Sequence, residues 1–505
     1  MTRPARRIIG TIAAALMLMT SLSMWALASP VGAGPDDDFH LASIWCGNGA
    51  REDLCGPGDD DRSREIPDKI AESACYAFHP EQDASCQGSD YLDEGYELGE
   101  STRVNTGNQY PSGFYFVSSF LASDNVAVST ILIRLLHSAI FTAMMIATWL
   151  FLPRALRLTL VASIALTFVP LGVFLIASVN PSSWALLSTA VLFPALLGFF
   201  ATTGRQRIAL GVISAVAALL GLSARGDAAA YTIVAVAAAA VLAFRPTKRF
   251  ALTALLPLLL VVLAAVAFLT AGQTGLALGG AAEPVPGGPS KLTLLGMNLL
   301  SLPALWAGIF GLNWGLGWLD TTLHAVVWGA TMFAFSGALF AALRWQGWRK
   351  LLALAGTGAA AVVVPVYILV SMRTTVGYEV QPRYVLPLIT LFLATAIAPA
   401  IHSGLRGSAE ESAARAALRF SPVQIWVMAV LLGAAQSVAL YDNLRRYTGP
   451  GTLSPSGDVA WWWAAGPTPL VVWLLGSAAF AGLMALLAVI GSRYMRSLDA
   501  QPAAV

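Results

Sequence analysis

Charged residues are scarce in this sequence. Lys, Arg, Asp and Glu make up 11% of the 505 residues, whereas 57% are hydrophobic and the mean hydropathy is +0.68. A typical soluble domain has about 25% charged residues. The scarcity therefore excludes a soluble globular protein and predicts an all-α polytopic membrane protein, because helices satisfy their own backbone hydrogen bonds in lipid.

Cysteine is also rare, and none lies in the apolar part of the chain. Cys46, Cys55, Cys75 and Cys86 all fall in one polar segment. This distribution predicts two disulfide bonds in an oxidising compartment. Three pairings are possible, and the sequence does not choose among them. A metal site is the alternative, but no two cysteines have the C-x2-C spacing that zinc sites favour.

The same polar segment contains few basic residues. Residues 29–127 hold 5 basic and 19 acidic side chains, a formal charge of −14. Because the whole chain carries +2, the remainder carries +16. So acidic a surface repels polyanions, and we expect no nucleic-acid partner.

Apolar and polar stretches divide the chain into three regions. Residues 1–28 are a first transmembrane helix, residues 29–126 an acidic extracytoplasmic loop, and residues 127–505 a transmembrane bundle with short loops. The first apolar run is about 20 residues long, enough to span a bilayer, which favours a retained helix over a cleaved signal peptide. The run Asn108–Ala122 is too short to span and predicts an interfacial helix that returns the loop to the membrane.

Apolar runs long enough to cross a bilayer recur through the third region. With the first helix they predict about twelve transmembrane helices, the others lying near residues 127–151, 158–177, 184–202, 207–223, 228–244, 250–271, 322–343, 350–371, 384–402, 422–441 and 468–490. Residues 272–321 are rich in Gly and Pro and then apolar. They predict a re-entrant or interfacial helix rather than another crossing.

Lys and Arg gather in every second connection, as the positive-inside rule requires of cytoplasmic loops. These residues are Arg154, Arg157, Arg205, Arg207, Arg245, Lys248, Arg249, Arg344, Arg349, Lys350, Arg406, Arg415, Arg419, Arg493 and Arg496. The register predicts a multi-pass plasma-membrane protein with both termini in the cytoplasm.

A few cations lie in the opposite connections, where the same rule disfavours them: Arg225, Lys291, Arg373, Arg383, Arg445 and Arg446. A phosphate group would account for them, because an Arg fork pairs with its oxygens through two hydrogen bonds. Ion pairs with neighbours such as Asp227, Glu379 or Asp442 explain each residue equally well when it is taken singly. Arg134, near the outer end of the second predicted helix, is costly in lipid and predicts a polar cavity there.

Three carboxylates follow the first helix in succession: Asp36, Asp37 and Asp38, with His40 two residues later. Pro35 suits the first position of a short helix, whose dipole favours acidic residues in its first turn. Capping therefore explains part of the acidity, but not three carboxylates in a row beside a membrane. A carboxylate there could act as a general base on a hydroxyl acceptor, or two could hold a divalent cation.

Several motifs occur in the order of a known family. PDDDFH at Asp36, YPSGFYF at Tyr115, ARGD at Arg225, GLGWLDT at Asp320, QPRYVLPL at Arg383 and RRYTG at Arg445 resemble the bacterial membrane family catalogued as domain of unknown function 2142. The similarity covers nearly the whole chain. That family is similar in layout to the GT-C superfamily of membrane glycosyltransferases, which take sugars from polyprenyl phosphate carriers and place an acidic motif in the first outer loop.

The resemblance implies a GT-C-like bundle and an inverting glycosyltransferase. Its catalytic group would be Asp36, Asp37, Asp38 and His40, with Asp37 or Asp38 as the base. A polyprenyl phosphate sugar donor and a cell-envelope glycan or lipid acceptor would be bound by Arg134, Arg225, Asp320, Arg373, Arg383, Tyr384, Arg445 and Arg446. No cofactor is expected beyond the divalent cation already considered.

Two other functions compete with the enzyme. A transporter of envelope lipid or polysaccharide would also use a dozen helices, but it needs polar residues along both halves of its path, and the inner halves are nearly free of them. A non-catalytic partner of envelope assembly would use the acidic loop as a docking surface.

Overall fold

The structure is a computed structural model, and it describes residues 3–88, 96–272, 288–344, 347–377, 380–399, 420–449, 459–463 and 466–499. The predicted cytoplasmic cations Arg406, Arg415 and Arg419 and the predicted ion-pair partner Glu379 lie outside these residues.

Helices dominate the described chain, as the composition predicts. We number them in chain order as α1 Arg3–Leu27, α2 Asp37–Trp45, α3 Asp68–Ala71, α4 Gly113–Ser119, α5 Val126–Phe151, α6 Arg154–Thr167, α7 Leu171–Ile176, α8 Ser182–Ala201, α9 Gly204–Leu222, α10 Ala228–Ala243, α11 Lys248–Thr253, α12 Leu255–Thr270, α13 Lys291–Ala307, α14 Ala325–Ala342, α15 Trp348–Ser371, α16 Pro382–Ile397, α17 Pro422–Thr448 and α18 Pro469–Asp499.

Within the described ranges, 9 helices are long and apolar enough to cross a membrane by length and composition. They are α1, α5, α8, α9, α13 with the 3-10 turn Gly308–Phe310, α14, α15, α17 and α18. Helices α10, α12 and α16 are apolar but shorter. The segments confirm a membrane protein with multiple apolar helices, whereas a total of twelve crossings stays a prediction.

The prediction of one continuous helix at residues 158–177 is wrong. The chain forms α6 and α7 instead, and Pro170 lies between them. Proline has no backbone N–H to donate, and its ring clashes with the carbonyl four residues earlier, which disfavours a regular helix at this point, although α8 continues through Pro194. Beside the break, the buried hydroxyls of Thr167 and Thr390 lie 2.9 Å apart and join α6 to α16.

The first and last helices define the two ends of the bundle. Helices α1 and α18 pack antiparallel, because Gly476 lies against Met24 and Gly482 against Met17. The start of α1 and the end of α18 therefore share one end. We call the other end, which carries Asp36, the site end.

The described parts of residues 29–126, which are 29–88 and 96–126, contain two disulfides and follow α1 at the site end. Disulfides join Cys46 to Cys55 and Cys75 to Cys86, which confirms the two predicted bonds and selects one of the three pairings. The described chain is mostly helical, as predicted, and this loop adds three short strands that the sequence does not predict. They pair antiparallel in the order β1 Gly56–Pro57, β2 Arg64–Pro67 and β3 Leu98–Ser101.

The run that predicts an interfacial helix contains the short helix α4. It buries Phe114 and Tyr115 and exposes Phe116 and Phe120. An exposed aromatic face just before α5 suits the boundary between water and lipid.

Helix α13 contacts α15 from the site end to about its middle. In the middle of α13, Asn298 donates to the carbonyl of Thr374 and accepts from the N–H of Val376, both beyond the site-end terminus of α15. Near its end, Trp306 donates to the carbonyl of Ala361, about halfway along α15. The chain then returns, since Trp318 donates to the carbonyl of Gly32. These contacts favour the re-entrant interpretation of residues 272–321.

Candidate functional site

The backbone that leads into the carboxylates is held by side chains from the whole bundle. Between Ala26 and Pro35 nearly every carbonyl accepts a hydrogen bond from a side chain. The donors are Arg134, Trp462, Trp463, Asn443, Tyr76, Gln87, Trp318, Tyr447 and Asn180. Buried carbonyls need such partners, and these come from elements far apart in sequence. The segment is therefore fixed, and it fixes the acidic cluster that follows.

The three carboxylates have different surroundings. Helix α2 begins at Asp37, two residues later than the sequence predicts from Pro35. Asp36 precedes the helix in the left-handed region, with φ of 59°, which Asp tolerates better than most residues. Successive residues of a helix point about 100° apart, so one of the three side chains turns into the core while the others face the loop.

Asp37 is the carboxylate that turns inward. Its side chain is fully buried, accepts from the N–H of Gly34 at 2.8 Å and lies 3.6 Å from Arg134. Burial raises the pKa of Asp37 to about 6, against the opposing attraction of Arg134. No acceptor outside the core reaches a group so enclosed, so the geometry does not favour Asp37 as the base.

Asp36 lies between two arginines. Its Oδ2 accepts from Nη2 of Arg383 at 2.7 Å, and its Oδ1 lies 3.6 Å from Nη2 of Arg103. Burial raises the pKa of Asp36, but the charges of Arg383 and Arg103 act against it, and the net pKa falls below the usual 3.8. With 35% of its side chain exposed, Asp36 is an ionised carboxylate that a ligand can reach.

Asp38 is bound by Arg103, a residue that the sequence analysis does not identify. Nε and Nη2 of Arg103 donate to its two oxygens at 2.7 and 2.8 Å. The hydrogen bonds that Arg103 donates to Asp38 raise the pKa of Arg103, whose guanidinium also lies over the ring of Phe39. Arg103 follows β3 and is 65 residues from Asp38, so the fold of the loop brings them together and no local motif announces it.

His40 is buried among aromatic rings. Its Nδ1 lies 2.9 Å from the hydroxyl of Tyr115, and the rings of Phe39 and Tyr110 meet it edge to face. Burial lowers the pKa of His40 to about 3, so the imidazole is neutral at pH 7. A neutral, enclosed imidazole packs α2 against the loop, and a catalytic role for His40 stays a prediction.

Arg225, Tyr384 and Arg383 form an aromatic and cationic cluster beside Asp36. The ring of Tyr384 lies 4.7 Å from the guanidinium of Arg225 and 5.0 Å from that of Arg383. Arg225 is paired with Asp227 through hydrogen bonds of 2.9 and 2.7 Å, which confirms this predicted ion pair. The hydroxyl of Tyr384 accepts from Arg383 at 3.0 Å. These contacts hold Arg383 beside the reachable carboxylate.

A small cleft, open to solvent, lies next to Arg383. Its walls come from the start of the first loop, the start of α16 and the chain after α13, and they include Pro35, Trp314, Leu316, Leu319, Gln381 and Arg383. Nε and Nη1 of Arg383 and Oε1 of Gln381 are buried and have no hydrogen-bond partner within the described chain. Buried polar atoms normally have partners, so a polar ligand in this cleft would be stabilised.

Two predicted substrate-binding cations anchor loops instead. Arg134 donates to the carbonyls of Ala26, Ser29 and Pro30. Arg446 donates to Oδ2 of Asp320 at 2.8 Å and to the carbonyls of Tyr76, His79 and Gln82. These bonds account for the burial of both cations and give Asp320 a protein partner. Arg373, just after α15, and Arg445, in the last turn of α17, also lie at the site end, and their roles stay predictions.

The donors for a metal ion do not converge. Within the described ranges, no group of three His, Cys, Asp or Glu side chains is placed to hold one. A divalent cation therefore stays a prediction without a described ligand set.

Replacing Gly34 by Ala tests how tightly the loop backbone and Asp37 fit together. A Cβ atom at position 34 would overlap the carboxylate of Asp37, which is enclosed and cannot withdraw. We expect Gly34→Ala to destabilise the protein by about 1–3 kcal/mol, measured as a lower melting temperature in detergent. Gly107→Ala is the control in the same loop, because the space around that residue is open. Equal melting temperatures for the two variants would contradict the close fit.

A bundle of apolar helices with a small, mostly apolar cleft at the site end defines a membrane protein with multiple apolar helices. The chain belongs to the family described as predicted membrane protein DUF2142, whose model matches residues 18–392. This match confirms the resemblance seen in the motifs, and its range includes Asp36, Arg225 and Arg383. No curated protein matches the chain.

Proposed function

We propose that this protein is a GT-C-type glycosyltransferase that moves a sugar from a polyprenyl phosphate carrier to a cell-envelope acceptor on the extracytoplasmic face of the plasma membrane. The observation that carries the proposal is the pair formed by Asp36 and Arg383 at the cleft. It joins a reachable, ionised carboxylate to a guanidinium whose Nε and Nη1 find no partner within the described chain. Inverting sugar transfer needs such a base and such an anion-binding group.

Arg383 would hold the phosphate of the donor. A guanidinium pairs with phosphate oxygens through directed hydrogen bonds, and a partly enclosed site strengthens them. The contacts of Arg383 with Tyr384 and Asp36 fix its position, so little reorganisation is needed when charge grows on the leaving phosphate.

The reaction follows from this arrangement. Oδ1 of Asp36 takes the proton of the acceptor hydroxyl, and the acceptor oxygen attacks the anomeric carbon from the face opposite the phosphate. The bond between that carbon and the phosphate oxygen breaks, and the electron pair leaves with polyprenyl phosphate, whose charge Arg383 offsets. Asp36 then releases the proton to water. The anomeric configuration is inverted, because attack and departure occur on opposite faces.

The proposal assigns the base to Asp36 rather than to Asp37 or Asp38. Asp37 is enclosed by the core, and both oxygens of Asp38 are taken by Arg103. Asp36 has an oxygen that is not hydrogen-bonded to Arg383 and a partly exposed side chain.

Transfer can be measured with the whole protein in lipid vesicles. The donor is undecaprenyl phosphate carrying radiolabelled glucose, galactose or mannose, and the acceptor is a membrane extract of the producing cells. We expect labelled product and free undecaprenyl phosphate in equal amounts. Label that moves across the vesicle membrane without release would instead indicate a transporter. If no donor supported either transfer or movement, the remaining function would be that of a non-catalytic assembly partner.

A further inference from the structure

The tip of the loop closed by Cys75 and Cys86 exposes an aromatic ring from a strained backbone. Phe78 has a φ of 62° and is 67% exposed. The left-handed conformation of a bulky L-residue costs about 1–2 kcal/mol. An apolar ring that stays in water also lacks the stabilisation that burial gives. Phe78 combines both unfavourable features.

The loop is fixed on both sides of Phe78. Arg446 donates to the carbonyls of Tyr76 and His79, which flank it closely, and to that of Gln82 further on. The guanidinium of Arg446 itself lies over the ring of Tyr447. A strained residue persists when its surroundings determine it this fully, and such residues concentrate at ligand sites.

Phe78 lies close to the cleft. Its ring packs edge to face on Trp318, with 5.4 Å between the centroids, and the indole N–H of Trp318 donates to the carbonyl of Gly32. The next residue, Leu319, has a φ of 68° and lines the cleft together with Arg383. The ring of Phe78 is thus connected to the wall of the cleft through Trp318 and Leu319.

We propose that Phe78, supported by Trp318, is a platform on which a neutral sugar unit of the acceptor stacks at the mouth of the cleft. The inference rests on the proposed function, because the platform would bring an acceptor hydroxyl toward Asp36. The negative face of an aromatic ring attracts the weakly positive C–H groups on the flat side of a sugar.

Charge around the platform selects the kind of ligand. The surrounding loop is strongly acidic, and His79 and Glu81, both exposed, lie 3.4 Å apart beside Phe78. Acidic surroundings repel an anionic glycan. Exposed ionisable groups next to the ring also oppose its insertion into lipid, since each would have to be dehydrated. A neutral sugar fits both conditions.

Binding without donor tests the platform separately from transfer. Full-length protein in detergent is titrated with neutral tetrasaccharides of glucose, galactose or mannose and with tetragalacturonate, and binding is followed by saturation-transfer NMR. We expect at least one neutral probe to bind and tetragalacturonate not to. Phe78→Ala and Phe78→Leu should lower the affinity about tenfold, which is the size of one aromatic contact, whereas Phe78→Trp should keep it.

The outcomes separate the two proposals. Wild-type protein that binds no neutral probe, or Phe78→Leu that binds like the wild type, would overturn the platform, and equal binding of tetragalacturonate would do the same. Neutral probes that bind in a Phe78-dependent way while no donor supports transfer would overturn only the proposed reaction. Melting temperatures of the Leu and Trp variants show whether the loop stays folded, since both replace one large apolar side chain by another.

Discussion

Asp36→Asn is expected to lower sugar transfer by about a hundredfold or more, with a smaller loss of stability than Asp37→Asn, because the side chain of Asp36 is partly exposed. The substitution removes the group that accepts the proton, and general-base catalysis contributes about 10²–10⁴ to a rate. Asn has the same shape, and its carbonyl oxygen still accepts from Arg383. Initial rates in vesicles at saturating donor and acceptor measure the loss, and thermal unfolding in detergent measures the stability.

The neighbouring carboxylates provide the matched controls. Asp37→Asn leaves Arg134 without its nearest charge in the core, so we expect a loss of about 3–5 kcal/mol in stability rather than a specific loss of chemistry. Asp38→Asn removes the acceptor of one Arg103 hydrogen bond at a partly exposed pair and should cost less than about tenfold in rate. If Asp38→Asn abolished transfer and Asp36→Asn did not, Asp38 would be the base and the assignment would be wrong.

Apolar runs in the sequence locate the helices because a bilayer sets both their length and their composition. Over its described residues, each run that predicts a spanning segment coincides with a helix or with a pair of helices, which are α6 and α7 at residues 158–177 and α11 and α12 at residues 250–271. The first break has a local cause, since Pro170 interrupts a stretch whose hydropathy is otherwise continuous. The cysteines of residues 29–126 likewise predict the disulfides but not their pairing.

The candidate site could be predicted only as a set of residues at one end of the bundle. The alternating direction of the predicted crossings places Asp36 and Arg383 on the same side of the membrane. The two residues are 347 positions apart, however, and no short-range sequence pattern predicts their contact. The different surroundings of Asp36, Asp37 and Asp38 depend on where α2 begins. That start is set by hydrogen bonds from distant side chains to the carbonyls before it, which the sequence does not display.

Cations at the site end are easier to find than to interpret. The positive-inside rule identifies Arg446, and the cost of charge in lipid identifies Arg134, but both then find backbone carbonyls as partners. A carbonyl has no signature in the sequence, because every residue has one. Arg103 is the opposite case, because no sequence motif identifies it as a site residue. It becomes the partner of Asp38 once β3 pairs with β2.

Arg383→Gln is expected to lower the transfer rate by about 10²–10³. Removing one preorganised donor to a developing anion costs this much in enzymes where it has been isolated, and here the lost group is also the charge beside the leaving phosphate. Arg383→Lys should recover a part of the rate, because an ammonium keeps the charge but cannot present the planar fork. Steady-state rates with varied donor concentration measure both variants.

The controls for Arg383 distinguish binding of the phosphate from support of the fold. Arg62→Gln removes an exposed cation from the outer loop and should change neither rate nor stability. Arg446→Gln removes the clamp on the loop closed by Cys75 and Cys86 and should lower the melting temperature. A guanidinium that contacts the phosphate in both ground and transition states raises the donor KM and lowers kcat when it is lost, whereas a structural loss reduces the fraction of active protein and leaves KM alone. A donor KM unchanged by Arg383→Gln would therefore place the phosphate elsewhere at the site end, with Arg373 and Arg445 as the next cations to replace.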